Sequence, residues 1–552
     1  KEQIINNRIS MLFCILFFAI LLMGLATIPH TVDSMTYGMT RIAYWWRNQS
    51  VAHFATNDVH AVSSPPIAEF VNLQLYILSG QNDRMFTMLQ TTSFITNTLL
   101  IAGICKKLKI ERKYIYLSMF LFVSMPIAFS EAFTTQVEQF ATMWLLLFVY
   151  FILDFVKDEF HFTFSSKIIW NAMVLGACIV FGYLTKPSVM FGMLIFALWL
   201  LISCIRKREE CKPIIGILCI VCIEMIILVL PELMRNYVTF RAFSASSVGA
   251  KHMIDTISPL YVLFNFLKNM SINLPNVYLP WISIVFEKGM YYTANRLGMD
   301  LNDPSIAHDG VEYILREPGW YACDSAVNPI IFYLTAIVCV WLFIKILRRE
   351  KRSSLDTFSY VSIIAWIFFC ITLKYEWYGV RYMLSYLALL CPVVGGQLAE
   401  IKRRFPKAEV PGMSIIVFVS VLELSGLLVF NGERAIRHLF AYDEIVGYFE
   451  MRENDESRYR ELANYLNSKE YDNLGLYFGW TAGEYPLWKM IDDSVRIDAI
   501  NISNETAVYA DDEFVPDYIL VKNALPSDIE YYGGNKYILI KNIDDLIYLY
   551  GM

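Results

Sequence analysis

The chain has 552 residues, 56% of them hydrophobic, and a mean hydropathy of +0.43. That much apolar surface excludes an ordinary soluble protein and calls for lipid as solvent. The net charge of −6 conceals segregated charges, with no basic footprint for nucleic acid, and most of the 11 cysteines, such as Cys14, Cys178, Cys219, Cys222 and Cys391, lie inside apolar runs as small core hydrophobes. Cys323 alone falls on a polar outer stretch, so no disulfide framework is expected.

A membrane-spanning helix needs about 20 mostly apolar residues. In chain order the candidates are 9–29, 86–105, 114–130, 134–153, 168–185, 188–205, 213–231, 329–347, 357–374, 382–399 and 411–430, eleven in all. The first is long and lacks a small-x-small cleavage site, so it reads as an uncleaved span rather than a signal peptide. Alternate loops carry basic clusters: Lys106, Lys107, Lys109, Arg112 and Lys113; Arg206, Lys207 and Arg208; Arg348, Arg349, Lys351 and Arg352; Lys402, Arg403, Arg404 and Lys407. All fall on one side if the N-terminus is cytoplasmic. The loop 154–167 is weaker, with only Lys157 and Lys167.

Three large pieces then face outward: 30–85, 232–328 and 431–552. In the last, acidic residues outnumber basic ones about two to one. Its patterning predicts helices over 459–466 and 484–491 and strands over 474–479, 495–500, 518–522 and 537–541. The expected architecture is an α-helical polytopic membrane protein, with a membrane domain over 1–430 and a soluble extracytoplasmic α/β domain over 431–552.

Ionisable residues near lipid are costly and are functional candidates by default. Here they gather at the outer ends of spans. Asp33 follows the first span, Glu131 and Glu138 flank the turn between the third and fourth, and Lys186 sits between the fifth and sixth. Arg235 follows the seventh, and Lys374, Glu376 and Arg381 separate the ninth and tenth. Folding the bundle would bring these ends to one rim, mixing carboxylates with cations. Such an inventory suits sugar transfer from a lipid phosphate. Cations would hold the phosphate and the charge it gains on leaving, and a carboxylate would take the proton of the attacking hydroxyl. One displacement would invert the anomeric carbon.

Each residue also has a structural reading. Asp33 could cap the helix that follows, Glu138 could favour a helix N-terminus, and Lys186 and Arg381 could snorkel to headgroups. Arg235 could simply pair with Glu232, and Glu224 and Glu423, inside the seventh and eleventh spans, could pair across helices. Tyr44, Trp45 and Trp46 suit an interfacial aromatic belt.

Several short motifs, in this order and all at outer span ends, resemble the GT-C superfamily of membrane glycosyltransferases. The likeness is to the bacterial branch related to protein O-mannosyltransferases and the lipid A aminoarabinose transferase, and it covers most of the chain. Val32-Asp33-Ser34-Met35-Thr36-Tyr37, continuing to Arg41 and Tyr44-Trp45, stands where that family places its catalytic Asp; Gly38 departs from a frequent His. Ser64-Pro65-Pro66-Ile67-Ala68-Glu69 follows, and Thr135-Gln136-Val137-Glu138 holds the second acid as Glu instead of Asp. Leu184-Thr185-Lys186-Pro187, Pro231 with Arg235-Asn236, and Arg381-Tyr382 match the turns that surround the lipid phosphate. Asp300-Leu301-Asn302-Asp303-Pro304, Asp324 to Pro329 and Glu484-Tyr485-Pro486-Leu487-Trp488 resemble a narrower bacterial subfamily without implied roles.

The resemblance implies a GT-C fold of about 11 membrane helices and an inverting glycosyltransferase. Asp33 and Glu138 would be catalytic, Lys186, Arg235 and Arg381 would hold the donor phosphate, and Glu69, Glu131, Arg41 and Tyr382 would contact substrate. The implied donor is a polyprenyl-phosphate sugar, undecaprenyl in a bacterial plasma membrane, and the acceptor is a lipid, glycan or protein. No obligatory cofactor is expected; a divalent cation, Mg or Mn, would fall to Asp33 and Glu138. Competing readings are a lipid-diphosphate-oligosaccharide transferase or polymerase and a lipid-linked sugar flippase. Against the flippase, the chain shows no internal repeat and no Walker motif.

Overall fold

The computed structural model describes residues 2–156, 166–207, 211–243, 251–276, 278–315, 325–430, 443–450, 452–524, 529 and 531–552. Lys157, Arg208, Cys323 and Asp324 lie outside the described residues. Among the described residues ten helices, from Asn7–Ala26 to Pro406–Val429, are long and apolar enough to cross a membrane. Leu12, Phe18, Ile226, Ile227, Val340, Phe343 and Phe418 stand exposed on them. Such a belt is what a multi-pass membrane protein turns to lipid.

The third expected span, 114–130, is broken into Arg112–Val123 and Pro126–Glu131. Pro126 has no N–H and biases Met125 to extended backbone (φ −69°, ψ 120°), so one helix cannot run through. The broken helix still traverses the bundle. Lys107, ending helix Met88–Lys107, pairs at 2.7 Å with Asp154 near the end of Glu138–Phe155. Near the opposite ends of the same two helices, the Gln139 N–H donates to the side chain of Gln90 at 3.0 Å. The two helices therefore run the same way, and residues 108–137 must return from one end to the other. The seventh span also differs from expectation. Helix Cys211–Phe240 continues through Pro231, which costs a backbone hydrogen bond without ending it, so Arg235 stands on the helix and not beyond it.

Helix Leu384–Arg404 is the buried centre, packed against Glu138–Phe155, Arg112–Val123, Ser354–Thr372 and Pro329–Leu347. Gly395 lets it approach Arg112–Val123 closely: a Cβ there would lie 2.0 Å from Ser118 Oγ and 2.8 Å from the Tyr114 carbonyl. Basic loops collect at one end of the bundle, where Lys402 pairs with Glu111 and Glu409, Lys113 with Glu409 and Arg404 with Glu350. Ser10 and Tyr116 share a 2.8 Å hydrogen bond there, so the first helix starts at the basic end and Asp33 lies at the other.

At that other end sits a five-stranded sheet. Its strands are β1 (Asn473–Phe478), β2 (Arg496–Ala499), β3 (Tyr518–Lys522), β6 (Ile538–Ile543) and β7 (Ile547–Gly551); β4 (Tyr531–Tyr532) and β5 (Asn535–Lys536) form a separate hairpin. The order is β2-β1-β3-β7-β6, with β1 parallel to β2 and β3, and β7 antiparallel to β3 and β6. β7 has no counterpart among the predicted strands. It folds back through Asp544 and Asp545, both at positive φ (56° and 54°), the left-handed pair that tight hairpins favour. One apolar cluster joins Ile28, Met35, Met39, Trp45 and Phe54 of the first loop to Leu462, Leu474, Trp488 and Leu520 of the sheet region. Within it, buried Asp83 accepts from Tyr448 (2.5 Å) and Tyr485 (2.7 Å) and pairs with Lys489 (2.8 Å).

Candidate functional site

The first helix ends at Ala26 and the chain turns into a short π-helical segment, Ser34–Gly38. A hydroxyl relay from Thr31 through Ser34 to Thr135, each contact 2.6 Å, fastens this segment to the turn before Glu138. Asp33 occupies the N-cap position yet makes no capping bond. Its carboxylate instead accepts from Arg381 Nη1 at 2.8 Å and from Gln136 Nε2 at 3.2 Å, with Tyr37 as a further donor. Burial pushes the Asp33 pKa up, but the Arg381 charge and these hydrogen bonds outweigh it and hold the group below its ordinary value.

Arg381 lies on the short helix Gly379–Tyr382, just before the central helix. Its guanidinium spans two carboxylates, with Nε 3.7 Å from Glu138 Oε1. Lys186, in the turn between helices Ser166–Thr185 and Val189–Lys207, donates to the same Glu138 oxygen. The Lys186 ammonium also lies 4.0 Å from the ring centre of Tyr382. Burial lowers the Lys186 pKa, and the Glu138 charge opposes this without fully reversing it. Two anions and two cations are thus interleaved at the wall of a cavity of about 520 Å³.

The structure brings together Asp33, Glu138, Lys186, Arg381, Tyr382 and Glu69 around this cavity. Three other candidates stand elsewhere. Arg235 pairs with Glu232 at 2.6 Å and donates to the Val51 carbonyl at 2.7 Å; Glu232, not Arg235, lines the cavity. Arg41 is fully buried 3.4 Å from Glu69 and donates to the backbone oxygens of Ala61, His60 and Ser64, which pins the segment 60–64. Glu131 is buried behind the wall, accepting from Thr134 at 3.2 Å.

A divalent cation shared by Asp33 and Glu138 does not fit this arrangement. Arg381 contacts both carboxylates, and with Lys186 it already balances their charge. The cavity also has lining residues that the span-end inventory passes over: Tyr37, Gln136, Tyr183, Glu232, His60 and His252. His60 takes a hydrogen bond with Asp58 at 2.8 Å and stacks on Trp480 of the sheet region, with ring centres 6.2 Å apart. Polar loop histidines are common, and nothing in the sequence separates these two from the rest.

No protein-family model and no curated protein matches the sequence. By structure, ArnT from Cupriavidus metallidurans bound to undecaprenyl phosphate is similar at a TM-score of 0.57 and 11% identity, over 98% of this chain and 97% of that one. The apo state of the same protein gives 0.52 and 12%, over 98% of each chain. The archaeal oligosaccharyltransferase AglB from Archaeoglobus fulgidus, in complex with an inhibitory peptide and a dolichol-phosphate, is more distant, at 0.44 and 10% over 92% of this chain and 69% of that one. The likeness to ArnT extends from the first helix through the C-terminal sheet, and on that end-to-end match this chain has the GT-C fold.

Proposed function

We propose that this protein is an inverting glycosyltransferase that moves a sugar from a polyprenyl-phosphate donor to an acceptor hydroxyl. The observation that carries the reading is Arg381, held between Asp33 and Glu138 beside Lys186 at a cavity wall. An arginine with two carboxylate partners is a preformed phosphate receptor, because a phosphate can replace one partner without leaving the guanidinium bare. When the donor phosphate enters, Arg381 and Lys186 turn to it and the Asp33 carboxylate is released. Asp33 then takes the proton of the acceptor hydroxyl while that oxygen attacks the anomeric carbon. The bond from anomeric carbon to phosphate oxygen breaks, its electron pair leaves on the polyprenyl phosphate, and the two cations stabilise the charge. Configuration at carbon inverts. Tyr382 supports both cations with its ring, and Glu138 keeps Lys186 in place.

The setting is the plasma membrane of a bacterium, with the N-terminus and the basic loops cytoplasmic and the site and sheet outside. The fold shared with an ArnT bound to undecaprenyl phosphate supports undecaprenyl phosphate as the carrier. Acceptors are a lipid, a glycan or a protein. The test uses purified full-length protein in detergent with undecaprenyl-phosphate monosaccharides, following release of undecaprenyl phosphate. Asp33→Asn is expected to cut turnover about 10²–10⁴-fold while staying folded and still binding donor. Normal turnover by that variant would remove Asp33 as the base. Absence of release with any monosaccharide donor, from folded wild type, would shift the reading to a diphosphate-linked oligosaccharide donor.

A further inference from the structure

Beside the cavity, three segments far apart in sequence are laced together by backbone hydrogen bonds. Lys374 N–H donates to the His252 carbonyl (2.8 Å), His308 N–H to the Tyr375 carbonyl (3.0 Å), and Tyr375 N–H to the Ile306 carbonyl (3.0 Å). Isolated bridges at Met253–Leu373 and Ala307–Tyr375 complete the lacing. The result sets His252, His308 and Glu376 against one another. One ligand atom from each lies within 4.8 Å of the other two. The imidazoles are stacked, with centres 4.2 Å apart and planes 9° apart, and His252 Nδ1 is hydrogen-bonded to Glu376 Oε1.

Two features say this is more than a hydrogen-bonded loop. Glu376 is only 2% exposed, and although its carboxylate meets His252 and the Tyr378 hydroxyl, its second oxygen, Oε2, is buried without a hydrogen bond of good geometry. A buried carboxylate oxygen so placed is expensive and asks for a cation. Beyond this, two imidazoles and one carboxylate form a three-ligand set suited to zinc that leaves a fourth position open. Metal–ligand distances of about 2.0–2.2 Å would set the ligand atoms about 3.3–3.5 Å apart, so binding closes the set and turns the stacked imidazoles until their ring planes converge on the ion.

We propose that His252, His308 and Glu376 bind a divalent zinc-class ion whose open position faces the cavity. His252 lines the cavity, so solvent or a substrate oxygen would complete the shell. The ion ties residues 252 and 308 to the loop at 376, which runs within six residues into Arg381 and Tyr382. The His252 ring meets the Tyr382 ring edge-on at 6.2 Å. The metal is therefore a positioning element for the phosphate cations and takes no part in bond making. This site is separate from the Asp33–Glu138 pair, where the structure disfavours a metal.

The experiment uses tag-free full-length protein, stripped with chelator, reloaded with Zn²⁺ and gel-filtered, with metal content read by mass spectrometry. Wild type is expected to retain about one zinc per chain and to melt at a higher temperature with zinc than without it. Replacing zinc with Co²⁺ should give visible d–d absorption. His308→Ala and Glu376→Gln should each weaken zinc binding more than about tenfold and lose the cobalt spectrum. Folded wild type that retains no zinc would overturn the proposal by itself. So would zinc retention by both variants at the wild-type level. Metal content is read without turnover, so its failure is distinct from failure of the transferase reading.

Discussion

Asp33 is governed chiefly by Arg381, with Gln136 and Tyr37 as lesser donors. Below its ordinary pKa it stays anionic through the mildly acidic range, and the stability it contributes is present at neutral pH and lost only as pH falls through that depressed value. In the proposed reaction, donor phosphate draws Arg381 away and adds a negative charge nearby, and both changes raise the Asp33 pKa. The acid limb of kcat/KM, which reports free enzyme, should therefore lie at lower pH than the acid limb of kcat, which reports the complex. Profiles measured with the same donor check this. Coincident limbs, or the reverse order, would mean that Arg381 keeps its hold on Asp33 during turnover. At the same scale the structure separates residues that look alike in sequence. Asp33 rejects the capping role, while Arg235 accepts the structural one by pairing with Glu232.

Among the elements, the central helix Leu384–Arg404 is packed too closely to accept side chains at its glycines. Alanine is favoured over glycine in a helix by about 1 kcal/mol. At Gly395 that gain meets a Cβ 2.0 Å from Ser118 Oγ and 2.8 Å from a backbone carbonyl, and overpacking costs about 1–3 kcal/mol. The clash wins because the Tyr114 carbonyl belongs to a helix and cannot swing aside. Gly395→Ala should lower the melting temperature in detergent, whereas Gly289→Ala, with nothing within 4 Å, should raise it slightly. The broken helix at Pro126 belongs to this scale as well. A hydropathy window sees one apolar run over 114–130, but the backbone stops where proline removes the donor.

At the scale of the whole molecule, the sheet region is joined to the membrane bundle through the first loop. Asp83 sits at that junction, 1% exposed, serving Tyr448, Tyr485 and Lys489. Asp83→Ala strands two buried hydroxyls and a lysine, a loss of about 3–5 kcal/mol for a broken buried pair. The expected outcome is faster proteolysis of the C-terminal region, with the helical bundle intact on a gel. Unchanged proteolysis would mean that apolar packing alone holds the sheet in place. The same junction brings Trp480 to His60 and so gives the sheet a place at the cavity mouth.

Much of this was legible in the sequence because its causes are local. Apolar runs of span length, basic loops in alternation and two-residue or helical periodicity act over a few neighbours, so the helices and most of the sheet strands follow from them. Asp33, Glu138, Lys186 and Arg381 were visible for the same reason, being charges where the apolar runs end. Which charge faces which was decided only in the tertiary structure. Arg381 reaches Asp33 across 348 positions, Arg41 turns inward to hold a loop, and His252 and Glu376 meet across 124 positions. Such pairings depend on how loops from separate helices are laced over the bundle, and that geometry is set by packing and backbone hydrogen bonds between segments that carry no local mark of one another.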